Sequence, residues 1–185
     1  MSTIKITAFS GSPRKGGNTD YLVHTFVDTV KSLGVDAEAV RLCDYKISPC
    51  TSCHLCIEKG ECVMDDGMVK LYPKLLESDG ILIASPVYFN NVSAQAKAFM
   101  DRTWSLRGRL KWKVGGAMVV GRRYGHESAL NAIHSFFLKH EVIIAYRGVV
   151  AFAFKKGDIV NDKHALNCTK RLAESMVDLV RRLKG

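Results

Sequence analysis

No apolar run in this 185-residue chain approaches the roughly 20 residues that a helix needs to cross a bilayer, and mean hydropathy is +0.00. That excludes a helical membrane protein. The opening segment MSTIKITAFSG has no charged-then-apolar leader and runs straight into strand-like sequence, so a cytoplasmic location is the expectation. Linkers, repeats and low-complexity segments are also missing, and one domain over residues 1–185 is expected. Acidic residues are in deficit, 18 against 27 Lys and Arg, for a net charge of +9. Such a balance speaks to partners rather than to fold: nucleic acid, an anionic cofactor or an acidic protein. The segment RGRLKWK (107–113) is the sole support for nucleic acid, and no binding module accompanies it, so that reading is set aside.

What is present is alternation. TIKITAF (3–9), VDAEAVRL (35–42), GILIASP (80–86), GAMVVG (about 115–121) and an apolar stretch at 142–154 read as strands. Helical spacing joins Leu22, Val23, Phe26, Val27, Val30 and Leu33, and Gly34 ends that helix. Further helices are predicted at about 65–78, bent or interrupted by Pro73, and at about 92–107, 126–140 and 161–184. The last carries Ala165, Cys168, Leu172, Met176, Leu179 and Leu183 on one face. Continuously apolar strands belong to a sheet covered on both sides. The expected fold is therefore a doubly wound α/β domain with five parallel strands.

Between the first strand and first helix lies FSGSPRKGGNTDYL (9–22), where such folds bind phosphate through backbone N–H groups and the helix dipole. It is not a P-loop, because Lys15 precedes Gly16 and Gly17-Asn18 follows. G-x-G-x-x-G is absent as well. Neutral donors on Ser10, Ser12, Asn18 and Thr19, with one cation on Arg14, suit a bound monophosphate ester.

GSPRKGGNT followed by SPVYFNN (85–91) resembles the NAD(P)H-dependent FMN reductases of the flavodoxin-like superfamily. The cysteine segment between the two motifs narrows the resemblance to iron–sulfur flavoproteins, from residue 4 to about residue 155. The resemblance implies a flavodoxin-like fold, with FMN phosphate contacts at Ser10, Ser12, Arg14, Asn18 and Thr19. It implies flavin-ring contacts along Ser85, Pro86, Val87, Tyr88, Phe89 and Asn90. A third flavin-facing loop is expected at GRRYGHE (121–127), involving Gly121 and Arg122. Arg122 and Arg123 depart from the glycine-rich sequence of relatives, and a guanidinium at the flavin's pyrimidine edge would raise its potential. His126 in that loop is expected at the surface, with a substrate contact as its alternative.

The segment SPCTSCHLCIEKGEC (48–62), expected as a loop after the second strand, places Cys50, Cys53, Cys56 and Cys62 at C-x2-C-x2-C-x5-C. By itself this allows a disulfide staple, a zinc site or an iron–sulfur cluster. A reducing compartment disfavours disulfides, and structural zinc usually joins two separated ligand pairs. Ferredoxin-type loops use C-x2-C-x2-C to give three irons one thiolate each. Cys50, Cys53, Cys56 and Cys62 are therefore assigned to a 4Fe–4S cluster, although Cys62 comes two residues later than a ferredoxin would place it. Cys43 is read as a buried small residue, with a fifth ligand or redox thiol as its alternatives. Cys168 is read as core, and His54 as a neighbour of the cluster rather than a ligand.

The resemblance implies an FMN-dependent oxidoreductase that passes single electrons from a ferredoxin-like donor through the cluster to FMN. Oxygen, peroxide or a quinone would serve as the small-molecule acceptor. Arg102, Arg107, Arg109, Lys111 and Lys113 are the expected docking cations for an acidic donor. The resemblance also implies a homodimer or homotetramer. Two alternatives are an NAD(P)H-dependent FMN or quinone reductase without a functional cluster, and a non-enzymatic electron carrier. Catalytic acid–base residues are not assigned.

Overall fold

The computed structural model describes residues 3–185. Six parallel strands alternate with helices: β1 (Lys5–Ser10), β2 (Asp36–Arg41), β3 (Gly80–Pro86), β4 (Val114–Gly121), β5 (Ile143–Ile144) and β6 (Val149–Phe152). The order is β2-β1-β3-β4-β5, and β6 also pairs with β4. Ligands of such sheets bind where neighbouring loops diverge at the carboxyl edge, which here is between β1 and β3.

The expected fifth strand at 142–154 is broken into β5 and β6, which occupy one edge position in succession. Gly148 between them has φ +97°, and a Cβ there would stand 2.6 Å from Leu130 Cδ1. A left-handed, close-packed glycine cannot continue a regular strand. The predicted helix at 65–78 is also divided, into a 3-10 turn at Gly67–Lys70 and α3 (Tyr72–Glu77), with Pro73 in the first helical turn. Pro costs nothing there, because its missing N–H would have had no helical partner.

The remaining helices are α1 (Asn18–Ser32), α2 (Leu55–Lys59), α4 (Ala94–Arg102), α5 (His126–Lys139) and α6 (Lys163–Lys184). Strands β3 and β4 are buried throughout, apart from a half-exposed Pro86. Their side chains enter two apolar layers. One joins Leu22, Phe26 and Val30 of α1 to Leu172 and Met176 of α6. The other joins Phe9, Phe99 of α4 and Ile133 and Phe137 of α5 to Leu71 and Leu75. Cys168 is buried in the first layer as read from the sequence, whereas Leu183 at the end of the stripe is exposed.

The cysteine segment follows β2 and contains the short α2, which its sequence did not announce. One residue ties it to the domain. The Arg102 side chain is wholly buried at the end of α4, and Nη1 donates to Ser48 O (3.0 Å) and Asp66 Oδ2 (2.7 Å). Nη2 donates to Asp66 Oδ1 (3.2 Å) and Met64 O (3.3 Å). Both ends of the segment thus hang on one guanidinium.

Burial opposes ionisation of Asp66, but Arg102 and the N–H groups of Ser48 and Met68 outweigh it and bring its carboxyl down from 3.8 to about 2. A depressed carboxylate stabilises the fold above its unfolded value, and that stability is lost as pH falls through the folded one. The linkage is worth about 2 kcal/mol. Urea unfolding should lose that amount between about pH 4 and pH 2. In Asp66→Asn the same window should lose correspondingly less, and equal pH slopes in the two proteins would contradict this assignment.

Candidate functional site

Two cavities gather the candidate residues. The larger, of about 590 Å³, opens at the carboxyl edge of the sheet and is lined by three loops and part of a fourth. Ser12, Arg14, Gly17, Asn18 and Thr19 come from the β1–α1 loop, and Pro86, Val87, Tyr88, Phe89 and Asn90 from the β3–α4 loop. Gly121, Arg122, Arg123 and Tyr124 follow β4, while Ala153 and Phe154 follow β6. Most of the residues expected around FMN therefore share one wall-to-wall space.

Ser10 and Ser85 do not line it. The Ser10 hydroxyl donates to Asp20 Oδ1 at 2.6 Å, and the Ser85 hydroxyl donates to Pro86 O while accepting the Ser93 N–H. Both are buried and hold the loops from behind. The Asn18 side chain is also committed elsewhere: Nδ2 donates to Lys155 O and Oδ1 accepts from Gly157 N–H, each at 2.8 Å. Its backbone N–H, in the first turn of α1, is what remains for a phosphate. The Gly17 cap carries no side-chain hydrogen bond, so the helix N-terminus keeps its donors for an anion.

Asp20, which carried no signal in the sequence beyond its place in the first turn, organises this loop. Nearly fully buried, it accepts from Ser10 Oγ, from Gly16 N–H (2.9 Å) and from Arg41 Nε (3.0 Å). Arg41 extends the network to Asp44 and to Cys43 Sγ, at 2.8 and 3.0 Å. Cys43 is thus half-buried away from the other cysteines, and burial, opposed by Arg41, pushes its thiol up.

The ring end of the cavity is strained. Phe89 (φ +47°) and Asn90 (φ +59°) are both left-handed, in a tight turn where Tyr88 and Asn91 exchange backbone hydrogen bonds of 2.8 and 3.0 Å. A left-handed Phe is unusual, and such strain collects at ligand sites. Gly125 (φ +80°) lets the β4–α5 loop close on this turn, since a Cβ there would meet Asn90 Cα at 2.4 Å. Arg123 lies 5.7 Å from the Phe154 ring centroid. His126 is buried rather than on the surface, stacked 4.4 Å from Phe152 with Nε2 at 3.2 Å from Ala151 O. The Gly125 turn puts His126 at the first position of α5, pointing back under the loop.

The second cavity, of about 500 Å³, holds Cys50, Cys53, Cys56 and Cys62 together with His54, Arg102 and Trp104. All four cysteines are free thiols. Burial alone would push the Cys62 thiol up, but the Met64 N–H, the Tyr72 hydroxyl and the Arg102 guanidinium outweigh it and bring the thiol down. Among the described residues, no three His, Cys, Asp or Glu side chains converge as they would on a single metal ion. A cubane, which gives each thiolate its own iron, asks for wider spacing. Four thiols on one cavity, with a buried cation in its wall, fit such a dianionic or trianionic thiolate-bound centre.

The comparisons agree with this geometry. The sequence model of the NADPH-dependent FMN reductase family matches residues 4–157. One iron–sulfur flavoprotein of Methanocaldococcus jannaschii is 37% identical over 192 residues, covering 98% of this chain and 100% of its own. That of Methanosarcina thermophila is 38% identical over 146 residues, 76% of either chain. Among solved structures, RosB with a bound riboflavin-phosphate intermediate superposes with TM-score 0.84 at 18% identity, over 98% of this chain and 81% of its own. A flavodoxin from the domain Archaea gives 0.65 at 16%, over 96% and 99%. The flavodoxin-like fold is thereby shown, and the site is that of an FMN-dependent oxidoreductase. The chain belongs to the iron–sulfur flavoproteins within the NADPH-dependent FMN reductase family.

Sequence reading missed Asp20, placed Tyr124 only as part of the 121–127 loop, and missed Ala153 and Phe154. The last three are set by where the β4 and β6 loops meet, which no local pattern encodes. Asp20→Ala strands the Arg41 guanidinium and two donors, and is expected to cost about 3 kcal/mol of stability. It should weaken FMN binding by about tenfold or more, read by fluorescence titration of the apoprotein. Wild-type affinity in a folded Asp20→Ala protein would show that the loop does not depend on it.

Proposed function

We propose that this protein takes single electrons from a small acidic iron–sulfur donor of the ferredoxin type through a 4Fe–4S cluster on Cys50, Cys53, Cys56 and Cys62. The larger cavity would hold FMN, which would supply the redox chemistry for a small acceptor such as oxygen, peroxide or a quinone. The observation that carries the reading is the gathering of four free cysteines on one cavity at the end of α4, while the flavin-site hairpin precedes the same helix. FMN supplies a centre that exchanges electrons singly or in pairs, and a cluster supplies one that exchanges them singly. The names of the M. jannaschii and M. thermophila relatives support a cluster.

The chain's own residues have definable parts. The first turn of α1 and Arg14 would hold the phosphate, Val87 and Tyr88 would pack against the flavin, and Asn90 would offer it an amide. Arg122 and Arg123 place positive charge beside the same cavity, which stabilises an anionic reduced ring.

Docking is proposed at the mouth of the cysteine cavity. Trp104 lines it and is partly exposed, with Arg107 (5.8 Å) and Lys139 (5.5 Å) over its ring. Arg109 is exposed nearby in sequence, and Lys111 is exposed but paired with Glu141. Two of the expected docking cations are not available. Arg102 is buried on Asp66, and Lys113 is half-buried, with Nζ donating to Leu76 O and Ser78 O. Exposed Phe89, Tyr124 and Phe154 rim the flavin cavity, and we place the contact with a second copy of the chain there.

Stopped-flow reduction of the anaerobic protein tests this reading. Reduced ferredoxin should bleach the flavin at a rate that falls steeply with ionic strength, and Arg107→Glu should slow it about tenfold or more at low salt. Light scattering on the same sample should show an oligomer. Rapid bleaching by NAD(P)H with no response to ferredoxin would instead identify an FMN or quinone reductase without a functional cluster.

A further inference from the structure

An arginine guanidinium has five N–H donors. Four of those of Arg102 are accounted for by Ser48 O, Met64 O and the two Asp66 oxygens, but Nε is buried with no partner. A buried donor left without a partner costs about 1–3 kcal/mol, which folded proteins rarely tolerate without a reason. Arg102 also lines the cavity that holds the four cysteines. The fork is used entirely to grip the ends of the cysteine segment, and its remaining donor belongs to a residue in the cavity wall.

We propose that Arg102 both positions the cluster loop and tunes the cluster, its Nε–H donating to a sulfur of the thiolate-bound centre. This rests on the cluster reading above. Hydrogen bonds to cluster sulfurs raise reduction potentials, because they stabilise the negative charge added with one electron. The effect is strengthened here by burial, since the side chain has no exposed surface and water cannot screen it. Asp66 pairs with Nη1 and Nη2, which leaves Nε as the one donor of the guanidinium without a partner.

Arg102→Lys keeps the charge and loses the fork and Nε; Arg102→Gln loses the charge as well. In either variant, once it is shown to carry iron, sulfide and FMN like the wild type, the cluster potential should fall. A tenfold loss in the one-electron reduction equilibrium is 59 mV, and at least that is expected by EPR-monitored titration, while the FMN potential stays where it was. An unchanged cluster potential overturns the proposal. If neither variant folds or holds a cluster, the wild-type protein answers instead. Grown with 15N-arginine and reduced, it should show a 15N hyperfine coupling to the cluster in pulsed EPR, and no coupling overturns the assignment of Arg102. Protein that takes up no iron and sulfide on anaerobic reconstitution overturns the cluster reading itself, and this inference with it.

Discussion

The Arg102–Asp66 ion pair is the contact on which the functional half of this molecule depends. A buried guanidinium is expensive to desolvate and is kept where most of its donors are answered. Here four answers come from residues 48, 64 and 66, so satisfying the charge and closing the cysteine segment are one event. The segment itself has little core. Cys50 and Cys53 are exposed, Ile57 is exposed, and α2 spans five residues with none buried. Without the clamp nothing in its own sequence would hold it in one place.

A second ion pair, buried Asp20 with half-buried Arg41, does the corresponding work under the phosphate loop. In both cases a charge sits behind a ligand loop rather than in it, and backbone groups are left facing the cavity. That arrangement suits redox chemistry, where a cofactor is held through several charge states and water rearrangement around it is costly. Helix α4 joins the two systems: the strained Tyr88–Asn91 turn precedes it, and Arg102 ends it.

Much of this was legible in the sequence, for identifiable reasons. Buried parallel strands are continuously apolar, so β1, β3 and β4 announced themselves. The GSPRKGGNT and SPVYFNN segments flank the cavity as expected because ligand loops of this fold lie at strand ends. What failed depends on direction rather than composition. Ser10 and Ser85 sit in the right loops but point into the scaffold, and Asn18 spends its side chain on Lys155 and Gly157 across the chain. Arg102 reads like its basic neighbours in the 102–113 stretch; only the fold reveals that it ends α4 facing inward. The split of the fifth strand at Gly148 required knowing where Leu130 would be.

The central claim is that one chain carries two redox centres, one in each cavity. Its most direct measurement is the content of iron, labile sulfide and FMN in anaerobically purified protein, compared with Cys62→Ala. Four irons, four sulfides and one FMN per chain are predicted for the wild type, in keeping with four thiolates on one cavity. A cluster that is lost or reduced to three irons is predicted for the variant, with FMN retained. A yellow protein with FMN and no iron would contradict the account.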